Sequence, residues 1–110
     1  MKKLYALTLI VLFAPVFACA QNVGINNDCT LPHASAMLDV KNPGKGLLIP
    51  RVALTGTNDA TTISSPATSL LVYNTTPAGS GATAVIAGYY YWNGTTWVQL
   101  TTSSTLQTTT

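Results

Sequence analysis

Gly88-Tyr89-Tyr90-Tyr91-Trp92-Asn93-Gly94-Thr95-Thr96-Trp97-Val98-Gln99-Leu100 is the stretch on which the fold turns. Two runs rich in aromatic and β-branched residues flank Asn-Gly, the strongest short-range signal for a β-hairpin. Asn93 and Gly94 supply the two positive-φ positions that a type I′ turn requires. Two registers are open: a two-residue loop pairs Tyr90 with Trp97, and a four-residue loop pairs Trp92 with Trp97. Side chains alternate across a strand, so either register puts Tyr90, Trp92 and Trp97 on one face. Tyr89, Tyr91, Val98 and Leu100 then lie on the other. Both faces are apolar, so the hairpin needs cover twice, from its own fold and from something else.

Working outward, further strands are predicted at Asn22 to Asn26, Met37 to Val40, Gly46 to Leu54 and Leu70 to Tyr73. Pro50 cannot donate to a ladder, so it marks an edge or a break in the third of these. Gly56 to Ser65 is polar and Thr-rich and reads as a loop. Ser64-Ser65-Pro66 and Thr75-Thr76-Pro77 are breaker clusters around the fourth strand. No stretch after residue 20 sustains a 3.6-residue period, although Ala34 to Met37 could form one helical turn. Leu47-Leu48-Ile49 and Leu70-Leu71-Val72 echo each other, but three apolar residues do not make a repeat. The expected fold is all-β and mainly antiparallel, a small sheet and hairpin module over residues 21–100. Residues 101–110, almost all Thr and Ser, read as a disordered tail that cannot bury a core. Its abrupt stop fits a head that continues into further chain.

The first 20 residues have a different character. Lys2 and Lys3 precede an apolar run from Leu4 to Phe17, and Ala18-Cys19-Ala20 provides the small residues that signal peptidase needs. The run is about 14 residues, too short for a helix spanning a bilayer, which takes ~20. These residues read as a cleaved signal helix, with Ala18 and Ala20 at the cleavage site and Gln21 as the new N-terminus. Cys19 opens a minor alternative, acylation as a lipoprotein, against which bulky Phe17 argues. The expected location is secreted or on the outer bacterial surface, with no membrane span in the mature form.

Cleavage also changes the charge. The whole chain carries +2, but Lys2 and Lys3 leave with the signal. Lys41, Lys45 and Arg51 then balance Asp28, Asp39 and Asp59, with no Glu anywhere. A neutral module gives no electrostatic footprint for nucleic acid. Its few charges and a core of this size favour self-association, so a homo-oligomer is expected.

The chemistry-bearing residues are few. Cys29 and His33 are four apart, yet a zinc site needs three or four ligands, and no other Cys or His follows residue 20. Cys29 without a disulfide partner reads as a buried small residue, with an intermolecular bond as the alternative. Asp39, between Leu38 and Val40, points away from both and is expected to accept backbone N–H groups of the Lys41 to Gly44 turn. Arg51 could reach Asp39 or Asp59, a pairing that adds little at a surface. Gly79-Ser80-Gly81 lacks the Lys and helix of a phosphate loop. Asn74-Thr75-Thr76 and Asn93-Gly94-Thr95 match the glycosylation pattern, but turn chemistry accounts for both. No enzyme, cofactor or metal site emerges. Tyr90, Trp92 and Trp97 are the candidate contact residues: core packing or a subunit seam comes first, stacking on glycans second.

Asn22-Val23-Gly24-Ile25-Asn26, Pro32 to Val40 and Lys45 to Arg51 together look like the start of secreted, tail-fibre-like surface proteins of Bacteroidota. Pro66 to Asn74 and the Tyr-Tyr-Trp-Asn-Gly-Thr-Thr-Trp block resemble the same group, in order over residues 21–100. In that group the segment heads longer proteins, some with fibre shafts and a C-terminal chaperone domain of the endosialidase type. The resemblance implies trimeric or otherwise associated β structure, a role in surface architecture or adhesion, and no catalytic residues. Glycans or other cell-surface components are the implied partners. Asp28-Cys29 departs from the group, which has small polar residues there, and no shaft follows Thr110.

Overall fold

A computed structural model describes the protein from Gln21 to Thr102. The signal reading, with Ala18, Cys19 and Ala20, and residues 103–110 of the tail lie outside the described residues. The span read as one module divides into two compact units, one up to Gly46 and one from Leu47 onward.

In the first unit, β1 (Val23–Ile25) pairs in parallel with β2 (Leu38–Val40), Val23 opposite Leu38 and Ile25 opposite Val40. A parallel pair needs a crossover of about a dozen residues, which the segment from 26 to 37 provides. Short side-chain bonds shape that crossover. Asp28 Oδ1 accepts from the Thr30 N–H and hydroxyl, and Asn26 Nδ2 donates to the Thr30 carbonyl. The helical turn expected at Ala34 to Met37 is a single tight turn, closed by Ala36 N–H on the His33 carbonyl at 2.9 Å.

The second unit is a four-stranded sheet in the order β3-β4-β5-β6. Its strands are β3 (Arg51–Val52), β4 (Leu71–Asn74), β5 (Gly88–Trp92) and β6 (Trp97–Gln99). β3 runs parallel to β4, and the other neighbours are antiparallel. The strand expected from Gly46 to Leu54 contracts to two residues. Proline has no N–H and biases the residue before it, so the ladder starts only after Pro50, whose carbonyl accepts from Tyr73.

The hairpin takes the four-residue loop, with Trp92 opposite Trp97. Its turn is not the type I′ that Asn-Gly suggests, because Gly94 has positive φ and Asn93 does not. The Asn93 side chain closes the loop instead, its Oδ1 accepting from the Thr95 and Thr96 N–H groups. Between β4 and β5 the chain turns through a 3-10 segment at Gly81–Thr83. Gly79 precedes it at φ +74°, where a Cβ would lie 2.6 Å from the Thr83 carbonyl oxygen. Only glycine fits there.

Leu54, Val72, Val85, Tyr90, Trp92 and Trp97 form the core, with Val52, Ile63 and Ala78 packed against it. Trp92 and Trp97 meet edge to face at 5.2 Å, the geometry that aromatic quadrupoles favour.

Candidate functional site

Alternation along β4, β5 and β6 sorts the second unit's side chains. Val72, Asn74, Tyr90, Trp92 and Trp97 point inward, and Leu71, Tyr73, Tyr89, Tyr91 and Val98 form the outer face. The three candidate contact residues are therefore interior: Tyr90, Trp92 and Trp97 are 3%, 6% and 2% exposed. Their polar atoms are engaged within the fold as well. The Tyr90 hydroxyl accepts from Ile86 N–H, and Trp97 Nε1 donates to the Asp59 carbonyl at 2.6 Å. Little ring surface is left over for a sugar or a neighbouring subunit. Core packing is what the rings do.

The outer face carries a second aromatic pair, Tyr73 edge-on to Tyr89 at 5.0 Å. Beside it, Leu48, Ile49 and Arg51 complete a shallow groove of about 290 Å³. Tyr89 and Leu100 are exposed, while Tyr73, Tyr91 and Val98 are half-buried.

Two polar side chains, read from sequence only as a possible partner for Arg51 and as a turn residue, organise this unit. Asp59 is buried, and burial alone would raise its carboxyl. Five donors prevail: the N–H groups of Thr55, Thr61 and Thr62 and the hydroxyls of Thr61 and Thr62 hold it well below the usual carboxylate range. The loop read as merely polar is thus a structured element, tied to the core through Trp97. Its signal was the Asp59-Ala60-Thr61-Thr62 pattern, an acid followed by Thr at the second and third positions. Asn74, also buried, accepts from Leu54 N–H and donates to the carbonyls of Thr76 and Ile86. It joins the end of β4 to two loops.

In the first unit, Val23, Ile25, Leu38 and Val40 share one face by register. Gly24 and Asp39 share the other, where a Cβ on Gly24 would sit 3.2 Å from Pro32 Cδ and Asp39 Oδ2 accepts from His33 N–H at 2.8 Å. Asp39 therefore ties the crossover rather than the following turn, which Asn42 closes on Gly44 N–H. Cys29, expected inside, is exposed, and its backbone at φ +58° is left-handed. His33 Nδ1 lies 2.7 Å from Ser35 Oγ. Arg51 makes no ion pair with Asp59. Lys41 Nζ pairs with Asp28 at 2.6 Å, and with Thr30 it lowers that carboxyl to about 2.

Among the described residues no group of three or more His, Cys, Asp or Glu could hold a metal ion, and no helix is long and apolar enough to cross a membrane. Among the described residues the arrangement offers apolar strand faces and saturated polar staples. A family model described as a phage tail like trimerisation region matches residues 24–110. No curated protein and no solved structure matches the chain.

Proposed function

The chain belongs to the phage tail like trimerisation region family, and we propose that it serves as the exported head of a tail-fibre-like surface assembly. Family membership makes it a structural, oligomerising module. Export, placement on the outer surface and a part in adhesion are the finer steps of the reading. Lys2, Lys3, the apolar run and Ala18-Cys19-Ala20 support export.

One observation carries the assembly role. Among the described residues, large apolar side chains lie outside the core in greater number than inside it, including Ile25, Met37, Leu38, Leu47, Leu48 and Ile86. Single exposed apolar residues are ordinary, but a small chain with most of them outside is an interface waiting for cover. A seam between copies is the cover that fits a trimerisation region.

Two measurements test the reading. Native mass spectrometry of the chain should give a trimer, and a monomer at micromolar concentration would defeat the assembly role. N-terminal sequencing after expression in a bacterial host should find Gln21 first in the exported fraction. Retention of Met1 to Ala20 on cytoplasmic protein would defeat export.

A further inference from the structure

We infer that the parallel pair β1–β2 is the seam at which copies meet, each copy's Val23, Ile25, Leu38 and Val40 packing against the same face of the other two. The inference rests on the trimerisation reading and says where on the chain that association occurs. These four side chains form one continuous aliphatic face, each between 41% and 56% exposed. The reverse face carries contacts within the unit, Pro32 beside Gly24 and the Asp39–His33 bond. The aliphatic face, by contrast, has no such contact among the described residues.

No described residue of the unit closes the open side. No described residue up to Gly46 is buried, so this unit, unlike the second, has no interior of its own. A two-stranded sheet without a covered face is marginal in water at best. Parallel pairing makes the need greater, since parallel sheets occur almost only with both faces covered. Both strands also lack a further strand on their outer edges among the described residues, leaving edges a neighbouring copy can use.

The occupant follows from the match and from charge. The trimerisation region begins at Gly24, inside β1, and so includes β2. The four side chains carry no charge: Asp39 lies on the reverse side, Asp28 and Lys41 neutralise each other, and Lys45 stands only at the strand ends. An aliphatic, uncharged face suits an identical face better than a polar or charged partner. A groove of about 320 Å³ between Ile25, Val40 and Lys45 extends it at the strand ends and offers room for a neighbour's side chain. The second unit's outer face is the rival seam, but its own rings half-cover it and that unit already has a core.

The test compares the full chain with Ile25→Asp/Val40→Asp and with Tyr89→Asp, a charge placed on the rival face. Mass in solution is read beside the near-ultraviolet signal of Trp92 and Trp97, which both lie in the second unit. The wild type and Tyr89→Asp should be trimers, and the double variant a monomer with its tryptophan signal intact. A double variant that stays trimeric overturns the seam while leaving trimerisation standing, as does a monomeric Tyr89→Asp with a trimeric double variant. A monomeric wild type overturns the trimerisation reading itself. Should the double variant lose its tryptophan signal, wild-type hydrogen exchange decides. Amides of residues 23–25 and 38–40 should be protected in the trimer and lose protection on dilution to monomer, whereas protection independent of concentration overturns the seam.

Discussion

Asp59 shows how much one short side chain does in a chain with three carboxylates. Its oxygens accept from three backbone N–H groups of the surrounding loop, and its carbonyl receives the Trp97 indole. Asp59→Ala should therefore cost about 2–4 kcal/mol in chemical denaturation, the range for stripping a buried charge-assisted network. The pH dependence follows from the depressed carboxyl. Ionised Asp59 stabilises the fold above the ordinary unfolded carboxylate value near ~4, and that contribution fades as pH falls through the lower folded value. The wild-type melting temperature should drop below about pH 4, and Asp59→Asn should remove the part due to this residue; an unchanged profile would refute the assignment. Gly79 is the sharpest backbone constraint. Gly79→Ala forces a Cβ against the Thr83 carbonyl at positive φ and should cost at least ~1–2 kcal/mol by thermal unfolding.

The hairpin of β5 and β6 was the most legible element, because Asn-Gly between aromatic runs encodes both a turn and an alternation. The faces were sorted as the sequence implied, with Tyr90, Trp92 and Trp97 together. Which face turned inward was not legible, since both are apolar and only packing against Leu54, Val72 and Val85 selects one. The turn type was missed because the Asn93 side chain substitutes for a backbone conformation. Burial of Cys29 failed for a related reason: small apolar character says nothing about a crossover fixed by Asp28 and Thr30. The parallel pairing of β1 with β2 and of β3 with β4 was also hidden, since register and direction lie between segments rather than within them. Trp97→Ala measures the hairpin's part in the fold. It removes a core ring and the indole bond to Asp59, so unfolding should be easier by ~3–5 kcal/mol, with loss of the edge-to-face signal against Trp92. Full stability in that variant would contradict the core assignment.

The chain as a whole divides its labour unevenly. From Leu47 onward, a small core, the Asp59 loop and Asn74 give a unit with an interior, while the strands before Gly46 hold apolar side chains and no interior. With the proposed seam, the second unit folds by itself and the first is completed by association, so stability and assembly are coupled by mass action. Dilution should then lower the melting temperature of the first unit's amide protection before it disturbs the tryptophan core. The decisive measurement is sedimentation equilibrium of the chain across a hundredfold concentration range. A single species of three times the chain mass, dissociating only at the dilute end, is the expected result. A monomer throughout, with the tryptophan core folded, would contradict the account.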